Sequence, residues 1–93
     1  MPQYQVELFG MSNQLVGLRR VEVELDDGAC LEDLVAALRR KIPALEGSVI
    51  RRGEDRLTNH YTFNVNGRFY MDDYAVKVHD DDHIVLLTFA LGG

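Results

Sequence analysis

A single change of hydrophobic period near the middle of the chain restricts the fold more than any other feature. Apolar residues recur there at helical spacing, on one face of a helix that stops before Pro43: Leu31, Leu34, Val35, Leu38 and Ile42. Acidic residues in its first turn and basic residues in its last turn match the helix dipole. Segments with a two-residue period lie on both sides, so the sequence predicts one helix between strands.

Alternating or continuously apolar segments predict five strands: 4–8, 21–25, 62–65, 68–70 and 83–89. The Gly-bounded segment 10–17 is expected to be the loop of a first hairpin, and Asn66-Gly67 predicts the turn of a second. The helix is a long crossover connection, which favours a mixed sheet. This order predicts an α+β protein with the β-grasp (ubiquitin-like) fold, a mixed sheet packed on one main helix, as a single domain over residues 1–93.

The charge balance and the cysteine content restrict the class of protein. Acidic residues number 15 and basic residues 10, a net charge of −5, which argues against nucleic acid as the primary partner. The single cysteine, Cys30, cannot form an intramolecular disulfide and is typical of a reducing compartment. The polar N-terminus lacks the apolar stretch of a signal peptide, and no apolar run is long enough to span a bilayer. We therefore expect a cytoplasmic protein with no membrane partner.

Two groups of reactive residue types have simple structural interpretations. Cys30 precedes the apolar helix face, where a capping residue lies, although a helix N-terminus also lowers a thiol pKa. His79 and His83 bracket the aspartates at 80–82, but this spacing matches no known metal-binding loop. A solvated turn explains the aspartates, and we expect no bound metal.

Basic residues cluster at 19–20, 39–41 and 51–52. The helix dipole explains the middle cluster. The other two are either solvated loop ends or parts of a docking surface, and 51–56 is expected to be an exposed loop.

Gly92 and Gly93 stand at the end of the sequence. Glycine has no Cβ and resists ordering, so residues 90–93 are expected to form a thin, flexible tail. Such a tail can enter a narrow channel and deliver the Gly93 carboxylate to a reaction centre, with Gly92 providing access. The alternative is a frayed end that happens to be glycine.

The last strand is apolar on both faces, as in a strand buried on both sides. Ile84 and Leu86 point to one face, and a second apolar set points to the other: Val85, Leu87, Phe89 and Leu91. With one helix available, this second set is either a partner-binding surface or is covered by segment 44–61.

The chain resembles the MoaD/ThiS family of ubiquitin-like sulfur carriers over most of its length. The resemblance rests on the order of several short motifs: Val6-Glu7-Leu8-Phe9-Gly10, Val21-Glu22-Val23-Glu24-Leu25, Asp27-Gly28-Ala29-Cys30-Leu31-Glu32-Asp33-Leu34, Pro43-Ala44-Leu45, Asn64-Val65-Asn66-Gly67, His79-Asp80-Asp81-Asp82-His83-Ile84 and Gly92-Gly93. The family usually has threonine or serine in place of Cys30, and the molybdopterin branch often has a proline before the diglycine. Residues 47–61 are also longer than the usual connection.

The resemblance implies that the Gly93 carboxylate is adenylated and then converted to a thiocarboxylate. It implies a carrier that is not itself an enzyme and binds no cofactor, since a ubiquitin-activating-enzyme-like adenylyltransferase would use the ATP. The implied acceptor is an enzyme such as the large subunit of molybdopterin synthase. Other thio-metabolite pathways (thiamine, cysteine, tRNA thiolation), conjugation to lysines and a non-covalent binding module remain alternatives.

Overall fold

A computed structural model describes residues 2–10 and 19–88. Its regular elements follow the predicted order, with a short 3₁₀ helix added: β1 (Gln3–Phe9), β2 (Arg20–Glu24), α1 (Leu31–Lys41), the 3₁₀ helix (Pro43–Leu45), β3 (Tyr61–Val65), β4 (Arg68–Tyr70) and β5 (Ile84–Thr88). The predicted loop at 10–17 falls almost wholly outside the described residues. So does the tail at 90–93.

The five strands form one mixed sheet in the order β2-β1-β5-β3-β4. Strand β5 pairs in parallel with β1 and antiparallel with β3, while β1–β2 and β3–β4 are antiparallel pairs. Helix α1 is the main helix of the described part and packs on one face of this sheet. The predicted α+β β-grasp fold is confirmed, and the last strand lies at its centre.

The first turn of α1 is stabilised from two directions. Cys30 is its N-cap, and the Asp33 carboxylate accepts the Cys30 backbone N–H at 3.0 Å. The backbone N–H groups of Leu31 and Glu32 donate to carbonyls of the segment before β5, those of Val76 and Tyr74, each at 3.0 Å. Donors that an isolated helix leaves unsatisfied are therefore paired with a distant segment.

The β3–β4 turn has the geometry that its sequence predicts. Asn66 and Gly67 both have positive φ, 54° and 90°, as the tight hairpin turn requires. The Asn64 side chain accepts the Gly67 backbone N–H at 2.9 Å. Asn66 also accepts the His83 backbone N–H at 2.8 Å, so this turn is tied to the residue before β5.

The core lies between α1 and the sheet face that carries Val6, Phe63 and Leu86, all fully buried. Segment 44–61 contributes four buried side chains to the same cluster: Leu45, Val49, Ile50 and Leu57. The segment therefore enlarges the core on the helix side. The alternative in which this segment covers the second sheet face is therefore wrong. The prediction of an exposed loop at 51–56 is correct, except that Asp55 is half-buried.

Candidate functional site

The predicted site residues divide into two groups. Val85 and Leu87 lie on β5, on the sheet face that points away from α1, and both are half-buried. Phe89, Leu91, Gly92 and Gly93 follow Thr88 and lie outside the described residues. The structure thus locates Val85 and Leu87 of the predicted partner-binding set, and partner binding by the whole set stays a prediction.

The strand register shows which residues share the outer face with β5. Leu87 lies opposite Phe9 of β1 and Thr62 of β3. Val85 lies opposite Glu7 and Asn64 in the same way. Because neighbouring residues on one sheet face contact each other, the two β5 residues are the centre of two cross-sheet rows.

Three further apolar residues extend this surface. Phe69 pairs with Asn64 on the outer face, and the Met71 sulfur lies 3.5 Å from the Thr62 hydroxyl. Phe9, Phe69 and Met71 are 59%, 56% and 54% exposed, the large apolar side chains of the described part with the greatest exposure. The outer-face patch is defined here as these three residues with the two from β5: Phe9, Phe69, Met71, Val85 and Leu87.

Charged and polar residues border the patch on the side of β1 and β2. Glu7 lies 3.7 Å from the Arg20 guanidinium and 3.3 Å from His83 Nε2. The Gln5 amide donates to Glu22 at 3.4 Å on the same face. Much of each of these charged side chains is exposed, so the ion pairs orient the side chains but contribute little to the stability of the fold. An apolar centre with a charged border is the composition of a docking surface.

The last described residue before Gly92 and Gly93 is firmly held in the sheet. Thr88 is in register with Tyr61, and its hydroxyl donates to the His60 carbonyl at 3.0 Å. Gly10 allows β1 to pass this point, because a Cβ at Gly10 would lie 2.8 Å from Thr88 Cγ2 and its φ is +80°. The last described residues therefore lie on the central strand.

The aspartate-rich turn before β5 has a structural role for one of its residues. The Asp82 carboxylate accepts the His79 backbone N–H at 2.8 Å and the Asn66 amide at 2.9 Å. Within residues 2–10 and 19–88, no three His, Cys, Asp or Glu side chains lie close enough together to hold a metal ion. The predicted turn is present, and Asp82 connects it to the β3–β4 hairpin.

Burial raises the pKa of the Tyr4 phenol, and the nearby Asp80, Asp27 and Asp82 raise it further. Tyr4 Oη lies 3.4 Å from the Val78 carbonyl and donates to it. A phenol whose pKa is raised keeps its proton at neutral pH, so Tyr4 serves as a core residue and not as a base.

Cys30 is a part-buried N-cap, as its position predicts. Its Sγ lies 3.4 Å from Asp33 Oδ2, and its extended backbone suits a cap. We expect Cys30→Ser to change the free energy of unfolding by less than about 1 kcal/mol, since serine is a good cap. It should also leave intact the activation of Gly93 that the resemblance implies. Thermal melting and intact mass after activation measure the two effects; loss of activation by a folded variant would contradict a purely structural role.

The basic clusters also have distinct positions. Arg39 of α1 donates to Asp55 at 2.7 Å and lies 3.5 Å from Glu46. It therefore anchors segment 46–55 as well as matching the helix dipole. Arg20 faces Glu7, whereas Arg51 and Arg52 lie on the exposed loop.

A mixed five-stranded sheet on one main helix, with its last strand at the centre, defines a ubiquitin-like β-grasp protein. The family model of the ThiS family matches residues 6–93, and the chain belongs to this family of ubiquitin-like sulfur carriers and modifiers. No helix in the described part is both long and apolar enough to cross a membrane.

Solved structures agree with this assignment. SAMP1 of Haloferax volcanii is 26% identical, with a TM-score of 0.83, covering 98% of this chain and 99% of that one. A putative molybdopterin converting factor, subunit 1, from Pyrococcus furiosus is 21% identical, with a TM-score of 0.72 over 95% and 98%. The match to the Amycolatopsis orientalis BexX/CysO complex has 16% identity and a TM-score of 0.73, over 97% and 99%. Comparison with curated proteins found no significant match.

Sequence reasoning missed Phe9, Phe69 and Met71. Phe9 carried a usable signal, because it continues the odd-numbered, outward positions of β1, where Gln3, Gln5 and Glu7 are polar. Phe69 also had a signal, because it is an apolar residue in the middle of the short strand that follows the Asn66-Gly67 turn. Met71 lies beyond the end of β4, so its place on the outer face depends on the tertiary structure.

Proposed function

We propose that this chain is a sulfur carrier in which the Gly93 carboxylate is the reactive group. The observation that carries the proposal is the match to the ThiS family, which runs through Gly92 and Gly93. The described structure supports it, because the preceding strand β5 is hydrogen-bonded on both sides. An extended segment of five residues beyond Thr88 can reach roughly 17 Å from this anchored strand.

The proposed chemistry occurs in two steps on partner proteins. A carboxylate oxygen of Gly93 attacks the α-phosphorus of ATP, and pyrophosphate leaves. Sulfide then attacks the acyl carbon of the adenylate; the new C–S bond replaces the C–O bond, AMP leaves, and the proton of the sulfide passes to solvent. The product is a thiocarboxylate, a soft nucleophile attached to a protein that partners can recognise. The chain itself supplies the carboxylate and the docking surface, and ATP is a substrate of the adenylyltransferase.

Molybdopterin synthesis is the pathway that we place first, with this chain as the small subunit of the synthase. The similarity in fold to the putative Pyrococcus furiosus converting factor supports this choice. The test is to combine thiocarboxylated chain with the synthase large subunit of the same genome and to follow sulfur transfer to the pterin precursor. Transfer to a thiazole synthase or another acceptor, and not to this one, would assign a different thio-metabolite pathway.

Conjugation to lysines is the second candidate function. It is favoured by the similarity to SAMP1, a small archaeal modifier protein, which is above a quarter identical to this chain over nearly all of both. Both functions begin with the same acyl-adenylate. Peptide mass spectrometry of cells that express the tagged chain separates them, because only a modifier leaves Gly93 in an isopeptide bond with a lysine.

The outer-face patch is the proposed docking surface for the activating and accepting enzymes. Exposed aromatic and aliphatic anchors beside β5, the strand that precedes the Gly92-Gly93 segment in the sequence, are suited to hold a partner there. We expect Phe9→Ala to weaken partner binding roughly tenfold, the effect of one anchor residue. Its free energy of unfolding should change by less than about 1 kcal/mol, because the ring is 59% exposed.

Gln3→Ala is the matched control, since Gln3 lies on the same strand and face but at its polar end. Titration calorimetry with the adenylyltransferase and urea unfolding of the free chain give the two quantities. Equal affinities of the two variants would contradict the docking role. Phe89→Ala is expected to behave as Phe9→Ala does, and a stability loss of several kcal/mol would instead place Phe89 in the core.

A further inference from the structure

A cavity of about 260 Å³ lies between the loop that precedes β3 and the segment that follows β4. Two arginines line it, Arg51 and Arg56, together with Asn59, Asp72 and Tyr74. The cavity is outside the predicted site. Its two arginines belong to segment 47–61, which is longer than the connection usual in the family that the chain resembles.

Neutral groups hold both guanidiniums in place. Arg51 Nε donates to the Leu57 carbonyl at 3.1 Å, and its Nη2 donates to the Asn59 side chain at 2.7 Å. Arg56 lies over the Tyr74 ring at 5.5 Å, and the Tyr74 hydroxyl accepts the Leu57 backbone N–H at 3.1 Å. Arg51 is thus fixed by hydrogen bonds and Arg56 by a cation–π contact.

The positive charge of this pair is not neutralised by a carboxylate of the part of the chain that the structure describes. In the described ranges, 2–10 and 19–88, neither Arg51 nor Arg56 has an acidic group within 4 Å, and Asp72 lines the cavity without forming such a pair. Two acidic residues of the same segment, Asp55 and Glu46, pair with Arg39 instead. Among the described residues, the two cations therefore have no ion-pair partner, although the net charge of the sequence is −5.

The position of the cavity connects it to the proposed docking surface. Tyr61, which lines the cavity, is in register with Thr88, the last residue of β5. Met71 lines the cavity and also belongs to the outer-face patch. A protein bound over the patch would therefore extend across the mouth of the cavity.

We propose that this cavity receives a carboxylate side chain of the partner that binds the outer-face patch, and that Arg51 and Arg56 determine which partner binds. The proposal rests on the proposed function for the identity of that partner, the adenylyltransferase. Arginine pairs well with carboxylates because its donors match their two oxygens. The anionic side chains that a protein partner offers are the carboxylates of Asp and Glu, and with Asp72 counted beside the two arginines the lining has a net charge of +1, which one such carboxylate neutralises.

Charge-neutralised variants test the partner contact. We expect Arg51→Gln with Arg56→Gln to weaken binding to the adenylyltransferase roughly tenfold at low salt, the effect of two interfacial charge pairs. The difference should nearly vanish in about 0.5 M salt, where charge interactions are screened. Arg56→Gln alone keeps the hydrogen bonds of Arg51 and should lose roughly threefold. Arg52→Gln, in the same loop but outside the cavity, is the matched control and should stay within about twofold.

Binding is measured beside the rate of adenylation at saturating carrier, which separates the two proposals. If the wild type is adenylated but the double variant binds as tightly as Arg52→Gln does, the cavity assignment is wrong and the proposed function still stands. A second measurement needs no partner: NMR titration of the free chain with acetate and with phosphate, reading the arginine Nε–H signals. We expect acetate to shift Arg51 and Arg56 and not Arg52. Tighter binding of phosphate than of acetate, or equal shifts at all three arginines, would contradict a carboxylate site.

Discussion

Deletion of Gly93 is expected to abolish ATP-dependent activation completely, with almost no change in melting temperature. The deletion removes the Gly93 carboxyl carbon, which is the proposed reacting atom, and the new terminal carboxylate lies one residue short of its position. A terminal residue contributes little to the folding of the domain. Adding one alanine after Gly93 should have the same effect, because the terminal carboxylate then belongs to alanine, which carries a side chain, and lies one residue farther along the chain. The measurement is intact mass after incubation with ATP, sulfide and the adenylyltransferase, where exchange of one oxygen for sulfur marks the product.

Substitutions at Gly92 separate access from reactivity. Gly92→Val keeps the Gly93 carboxylate but adds a β-branched side chain, and it should block activation; Gly92→Ala, with one methyl group, is the graded control and should retain part of it. The mass of the protein isolated from its own cells establishes which residue bears the free carboxylate. Full-length and Gly93-deleted chains that behave alike with every adenylyltransferase of the genome would contradict the carrier and favour a non-covalent binding module.

The parts of the fold that could be predicted have a regular period or a specific turn requirement. The alternation in β1 and β2 and the helical spacing of α1 each place one apolar set on one face, and the structure buries these sets. Asn66-Gly67 was predictable because a tight hairpin turn needs two residues that accept positive φ. The mixed sheet followed from the crossover that a helix between strands imposes.

The parts that could not be predicted depend on contacts between distant segments. Leu45, Val49, Ile50 and Leu57 are buried at irregular spacing, because the chain there forms a 3₁₀ turn and loops that have no single period. Likewise, no local signal shows that the carbonyls of Tyr74 and Val76 accept the first N–H groups of α1. Such pairings exist only after the fold has brought the two segments together.

The candidate site was predictable only where a regular sequence pattern marks its residues. A strand that is apolar on both faces identified Val85 and Leu87 without reference to their neighbours, and the structure places both on the face that points away from α1, half-buried. That they bind a partner stays a prediction. The Arg51–Arg56 cavity had no such signal. In the sequence, Arg51 and Arg56 belong to a charged loop. Only the geometry shows that Asp55 and Glu46 of the same segment pair with Arg39.

Ile50→Ala tests whether segment 44–61 is a structural part of the domain, and we expect a large loss of stability. Ile50 is fully buried, and its backbone N–H donates to the Leu45 carbonyl at 2.9 Å. Truncating a buried isoleucine costs about 2–5 kcal/mol, through lost burial and the cavity left behind. For a domain whose total stability is in the range of about 5–15 kcal/mol, this is a substantial fraction.

Arg52→Ala is the matched control for this prediction, because Arg52 is two residues away in the same segment and is exposed. Its free energy of unfolding should change by less than about 0.5 kcal/mol. Urea unfolding gives both values, and an unchanged slope with denaturant shows that the same surface is exposed on unfolding. If Ile50→Ala cost no more than Arg52→Ala, the segment would be a surface loop, and the fixed geometry of Arg51 and Arg56 that depends on its packing would lose its support.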